Sequence, residues 1–323
     1  MKRVISILGI IILCASLLVA CDDTKKASSG NQMKILLTMN QVDTFRQTLI
    51  DAAQKQADAA GTELTVKIAD NVIENQVEHI KLAVKEGYDA ILCAPVSTDT
   101  IVELEANAKD IPIVFMNSSP DEKQLKEGKY VYAGSDEETA GKFQAEYVLN
   151  KYANKSEINV VLLKGEKTHS GAIGRTEGVK QAFAESGKKI NYVFDDYADW
   201  DTEKAMQMFK IFLKTGQPVD CVICNNDGMA LGVVKACREA GIDFNKVMIL
   251  GVDATTDACA AIEKGEMAFT VYQSASGQGK AAVEVAIRLA GGESVKDIDG
   301  ASDDGKYVWV PFEKVDASNV KNY

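Results

Sequence analysis

VDCVICNNDGMALG, residues 219–232, decides the fold. A short apolar run rich in Val, Ile and Cys stops at Asn225-Asn226, and a helix-like segment follows at once. Four other runs have the same form. MKILLTMN ends at Asn40, IPIVFMN at Asn117, INVVLLKGEKTH at His169 and VMILGVD at Asp253. Runs this short and this continuously apolar predict parallel strands buried on both faces. In open α/β sheets, ligands bind outside the carboxyl ends of the strands. Five separated segments therefore carry polar side chains to the sheet edge where a small molecule docks.

Outward from these runs, strand and helix patterns alternate from Met33 to Leu289. Phe45, Leu49, Ala53 and Ala57 recur at four-residue spacing. This predicts a helix from Thr44, capped by Asp43 or Thr44 and stopped by Gly61. LTVKIAD and YDAILCAP read as strands, with a helix over Asn75–Glu86 between them. Gly87–Cys93 and Pro218–Cys224 share one pattern, with Asp89 and Asp220 in equivalent places. Two similar βα lobes explain the echo. The fold class is α/β, two Rossmann-like lobes with parallel sheets and right-handed crossovers. Gly291-Gly292 closes a helix, and Tyr307–Pro311 is expected as a last short strand returning between the lobes.

A chain of 323 residues exceeds what one core usually serves, so two domains are expected. The N-terminal lobe is assigned 33–134 plus 274–307, and the C-terminal lobe 135–273 plus 308–323. Residues 1–20 read as a signal peptide, with Lys2-Arg3 before the apolar stretch Val4–Leu17. Leu-Val-Ala-Cys, ending at Cys21, resembles the bacterial lipobox, which implies lipidation of Cys21. Residues 21–32 then form a polar tether. The expected location is extracytoplasmic, on the membrane through the lipid alone. Net charge is −11, and −13 without Lys2 and Arg3. Such acidity disfavours nucleic acid as a partner.

Cys93, Cys221, Cys224, Cys237 and Cys259 are an odd set, unlike a disulfide framework. Cys221 and Cys224 look like a CxxC pair, but an odd separation in a strand points them to opposite faces. Cys93, Cys221 and Cys224 are read as small apolar core residues.

GEKTHSGAIGRT (165–176), DYADWDT (196–202), NNDGMALG (225–232), GVDATTDA (251–258) and VWVPFEKVDASN (308–319) resemble the periplasmic galactose/glucose-binding proteins. More broadly they resemble the pentose- and hexose-binding proteins of ABC importers. The resemblance implies a three-segment hinge, closure around a monosaccharide, and an ABC permease as partner. It also implies the site. Asp43 and Phe45 match the first-loop acid and stacking ring, Asn117 a lobe-one strand end, and His169 the loop histidine. Arg175 matches the sugar-binding arginine, Trp200 the second stacking platform, and Asn226, Asp253 and Gln273 the remaining polar contacts. Plainer roles stand beside these: a helix cap for Asp43, core for Phe45, a turn for Asn117, a surface ion pair for Arg175 and interface packing for Trp200. Asp227 is read as the cap of the helix that follows it.

The chemistry of a buried sugar fits that set. Each unsatisfied buried hydroxyl costs about 1–3 kcal/mol. Carboxylates accept, carboxamides do both, arginine donates in a fork, and aromatic faces cover C–H surfaces. Two departures stand out. Gly171 replaces an Asp of the galactose/glucose type. KYANKSEI (151–158) lacks the clustered oxygens that calcium needs, so no metal and no cofactor are expected. With no phosphate loop, no dinucleotide fingerprint and no nucleophile elbow, an enzyme is not expected. A helix-turn-helix, which a repressor would need, is also missing. A monomeric binding protein is the reading, with a sugar sensor feeding a chemoreceptor or histidine kinase as the alternative.

Overall fold

The computed structural model describes residues 32–323. The signal segment, most of the tether and Cys21 lie outside the described residues. The first βα succession runs β1 (Lys34–Met39), α1 (Thr44–Ala60), β2 (Glu63–Ile68), α2 (Ile73–Glu86), β3 (Ala90–Cys93), α3 (Ile101–Ala108), β4 (Ile113–Phe115) and β5 (Tyr130–Gly134). The second begins with α4 (Glu137–Lys151), β6 (Glu157–Lys164), α5 (Ser170–Glu185), β7 (Lys189–Tyr197) and α6 (Thr202–Leu213). It continues through β8 (Cys221–Cys224), α7 (Asp227–Ala240), β9 (Met248–Leu250), α8 (Thr256–Glu263) and β10 (Phe269–Tyr272). Then come α9 (Ala275–Ala290), β11 (Tyr307–Trp309) and β12 (Glu313–Asp316).

These strands make two six-stranded sheets in matching order, β11-β5-β4-β3-β1-β2 and β12-β10-β9-β8-β6-β7. The pairing is parallel except for β12, which runs antiparallel to β10. The pattern of β8 shows why continuous apolar runs form such strands. Cys221 and Ile223 enter one core, Val222 and Cys224 the other, so both faces are buried. All five described cysteines are free and buried. In the first sheet, Ile35 and Leu37 face one core while Leu36 faces the other.

The internal echo has a physical basis. Asp89 accepts the Lys34 backbone N–H at 2.8 Å, and Asp220 accepts that of Asn159 at the same distance. Each aspartate, at the start of a second strand, thus ties down the start or edge of a first one. α1 runs as expected, with Asp43 accepting the Arg46 N–H at its start and left-handed Gly61 at its end.

The chain passes between the sheets after Gly134, after Tyr272 and after Trp309. The last passage corrects the expected boundary at 307/308. Tyr307, Val308 and Trp309 all pair with β5, so the strand belongs whole to the first sheet. It is not the final strand either. EKVD, residues 313–316, forms the antiparallel edge of the second sheet.

Two glycines bring α4 and α5 into backbone contact. A Cβ on Gly141 would lie 2.0 Å from the Arg175 carbonyl oxygen, and one on Gly178 would lie 2.1 Å from that of Glu138. Any larger residue would push the helices apart. This close approach sets Arg175 of α5 beside Glu137 of α4.

Candidate functional site

A narrow gap of about 20 Å³ lies between the carboxyl ends of the two sheets. It is lined by Asp43, Phe45, Asn117, His169, Arg175, Trp200, Asn226, Asp253 and Gln273, together with Arg46. All nine residues named from the sequence therefore meet in one place. Of the five strand-end polar groups, Asn40 alone does not line the gap. Its side chain is buried, and neither polar atom has a partner in the protein.

Arg175 is the most constrained side chain there. Its Nε donates to Glu137 at 2.6 Å, one terminal nitrogen to the Asn225 carbonyl at 2.6 Å, and the other to Gln273 Oε1 at 3.0 Å. Asp253 lies 3.8 Å away. Burial works against the charge, but Glu137 and Asp253 outweigh it and hold the guanidinium pKa above its usual value. The surface ion pair considered for Arg175 is thus replaced by a buried one. Burial pushes the Glu137 carboxyl up despite Arg175. It pushes Asp253 up as well, against the pull of Arg175. With its Oε1 on Arg175, Gln273 keeps Nε2 buried and without a partner. An orphaned donor beside a gap is satisfied by what enters it.

On the opposite wall, Asp43 caps α1 and also pairs with Arg46. Arg46 Nε donates to Asn117 Oδ1 at 3.1 Å. His169 caps α5, its Nδ1 accepting the Gly171 N–H at 3.0 Å. That bond places the ring proton on Nε2, 3.3 Å from the same Asn117 oxygen. Burial, then the charges of Arg46 and Arg175, hold the His169 pKa well below its usual value, so the ring is neutral. Its edge meets Trp200 with centroids 5.1 Å apart. A Cβ on Gly171 would sit 3.1 Å from His169 Nδ1 and 3.6 Å from the Glu137 carboxyl carbon. An aspartate there would bring its charge against that of Glu137.

The loops that present these groups are strained. Eight non-glycine residues among those described have positive φ, and Asn117, Asp199, Trp200, Asp253 and Ala254 are five of them. Each such residue costs about 1–3 kcal/mol and persists only where its surroundings impose it. Asp227 supplies part of that imposition, which corrects its reading as a helix cap. The cap is Asn226, whose side chain accepts the Met229 N–H. Asp227 instead accepts the Thr255 N–H at 2.8 Å and the Thr270 hydroxyl at 2.6 Å, and so braces the turn that carries Asp253.

Arg46, Glu137 and Asp227 are the residues that sequence reasoning missed or misassigned. Asp43 and Arg46 at i,i+3 offered a signal for the first. Glu137 offered none, because its partner is 38 residues away.

The lobes also touch at their lips. Gln41 and Asn71 donate to Glu166 at 3.2 and 3.0 Å, the Thr98 hydroxyl donates to the Thr168 carbonyl, and the Ser119 N–H donates to Ser170 at 2.7 Å. The arrangement is closed. The lining holds no hydroxyl, thiol or amine nucleophile. Among the described residues, no group of three or more His, Cys, Asp or Glu is placed to hold a metal.

The periplasmic binding protein domain matches residues 35–294. The chain is 31% identical to a putative rhizopine-binding protein of Rhizobium meliloti, covering 81% of this chain and 82% of that one. It is 30% identical to a D-galactose/methyl-galactoside binding periplasmic protein of Haemophilus influenzae, covering 87% and 88%. An ABC transporter solute binding protein of Bacillus halodurans, solved with myo-inositol, superposes with a TM-score of 0.81 at 31% identity, covering 90% and 97%. The chain belongs to the periplasmic binding protein family. It is an extracytoplasmic binding protein and not an enzyme, with the two-lobed architecture of that family's first type.

Because burial raises the Asp227 pKa to about 7 from 3.8, the folded state holds this proton more tightly than the unfolded one. Its contribution to stability is present below pH 3.8 and is lost as pH rises through about 7. The wild-type advantage over Asp227→Asn in chemical denaturation should therefore shrink across that window. A constant difference would contradict the assignment.

Proposed function

We propose that the protein captures a monosaccharide or a cyclitol of similar size and presents it, closed within the cleft, to an ABC permease. One observation carries this reading. Two arginines, two aspartates, three carboxamides, a neutral histidine and two aromatic rings from both lobes line a single gap. That is the complement of a polyhydroxylated ring, whose hydroxyls each donate and accept while its C–H faces are apolar. The relatives named above support the class, among them one solved with myo-inositol and one named for D-galactose.

In this reading Asp43, Phe45, Arg46 and Asn117 hold the ligand from the first lobe. His169, Arg175, Trp200, Asn226 and Asp253 hold it from the second, with Gln273 at the second passage between the lobes. Only the closed form makes both sets of contacts, so the ligand shifts the hinge equilibrium toward closure. Asp253 is the decisive acceptor. The experiment is a calorimetric screen of myo-inositol, D-galactose, D-glucose and D-ribose against the wild type and Asp253→Ala. One or more should bind the wild type, and Asp253→Ala should lose at least about 100-fold in affinity while its thermal melt stays cooperative. No binding by any of the four, or full affinity in the variant, would contradict the reading.

The membrane attachment follows from the lipobox-like Leu-Val-Ala-Cys ending at Cys21. A lipid on Cys21, with the polar stretch after it, would tether the binding lobes without spanning the bilayer. Cys21→Ser should move the protein from the membrane fraction to the soluble fraction of expressing cells. Retention of the variant in the membrane would count against it.

A further inference from the structure

A second, larger space adjoins the gap. It measures about 630 Å³, and Asp43, Phe45, Trp200, Asn226 and Asp253 line both. These five residues form a shared boundary, so the closed cleft is open on this flank. Elsewhere the lobes are bonded together, by Gln41, Asn71, Thr98 and Ser119 to the segment from Glu166 to Ser170. The closure is lopsided, sealed along one lip and continuous with a groove at another.

The groove runs between α7 and α8. On α7, Gly228, Leu231, Val234, Lys235 and Arg238 fall on one helical face, a span of about 15 Å at 1.5 Å per residue. Ala260 of α8 and Lys264, just past its end, face them. Its composition changes little in kind from end to end, with apolar patches at Leu231, Val234 and Ala260 between hydroxyl and charged groups. The charges are largely neutralised. Arg238 is paired with Glu266 and Lys235 with Glu203, while Asp257 stands in the lining itself. A strongly anionic occupant would find little net attraction, and a wholly apolar one would strand the polar groups. Alternating C–H-compatible and hydrogen-bonding surface suits a further polyhydroxylated ring.

We infer that the groove is an outer subsite that receives a neutral second sugar unit, so that the protein accepts glycosides of the ring held in the inner gap. The inference rests on the proposed reading of the cleft and extends it. The inner ring is gripped by both lobes, and the glycosidic substituent leaves past Trp200 and lies along α7, mainly against the second lobe, with Asp43, Thr44 and Phe45 of the first at its inner end. Affinity is set inside, and tolerance of substituents is set by the groove.

The test is calorimetry with two pairs of probes, myo-inositol with α-galactosyl-myo-inositol, and D-galactose with melibiose. These are measured on the full-length protein and on Leu231→Trp and Ala260→Trp, which fill the groove without touching the inner gap. The wild type should bind the glycoside of whichever parent it binds within about 10-fold of that parent's affinity. Each filling variant should weaken the glycoside by at least about 10-fold and leave the parent within about 2-fold. Retained parent affinity also reports that the variant is folded. Where a filling variant loses the parent as well, Lys264→Ala, which removes a groove side chain without adding bulk, takes its place and should weaken the glycoside selectively. A wild type that binds the parent but loses the glycoside by more than about 100-fold overturns the subsite. So does a glycoside affinity that no groove variant changes selectively. Failure of both parents to bind overturns the reading of the cleft and the subsite with it.

Discussion

The buried guanidinium of Arg175 is the constraint on which the cleft depends. An arginine removed from water is tolerated only where every donor is matched and opposite charge is close. Here Glu137, the Asn225 carbonyl and Gln273 take the three nitrogens, with Asp253 nearby. Two of these partners come from points where the chain changes lobe. Glu137 follows the first passage and Gln273 follows β10 at the second. The guanidinium lies 5.9 Å from the ring centre of Phe312, which belongs to the third. One side chain thus registers all three connections between the lobes and turns a loose joint into a defined base for the site.

From that base, geometry propagates outward. Gly141 and Gly178 let α4 and α5 meet closely enough for the Arg175–Glu137 pair to form. Asp227 braces the strained turn that carries Asp253. On the facing lobe, Arg46 donates to the Asn117 carboxamide oxygen, which His169 of the second lobe also meets. The groups are held before any ligand arrives, which lowers the ordering cost of binding. The Gln273 amide nitrogen keeps an unmet hydrogen bond within that frame.

Much of this was legible in the sequence because the signals are local. Continuous apolar runs such as VDCVIC mark strands buried on both faces, and β8 divides its side chains between two cores as that pattern requires. The Asp89 and Asp220 echo follows from two equivalent backbone bonds. Apart from Arg175, which lies within α5, the sequence-named residues that converge on the gap stand at or soon after strand ends, where chain order and topology together fix their place. What escaped notice is nonlocal or ambiguous. Glu137 has meaning only through a partner on another helix. Asp227, next to a true cap, looks like one, yet it points back to Thr255 and Thr270. Arg46 sits on a helix face that composition reads as ordinary amphipathic surface. β12 carries the charged residues Glu313, Lys314 and Asp316, typical of an exposed edge strand and weak as a strand signal.

The most direct measurement is a calorimetric titration of Arg175→Lys beside the wild type, using whichever of myo-inositol or D-galactose the wild type binds. Lysine keeps the charge and loses the planar fork that joins Glu137, Asn225 and Gln273. The account requires at least about a 100-fold loss of affinity, near 2.7 kcal/mol, from a variant that still unfolds cooperatively. Unchanged affinity in that folded variant would contradict it.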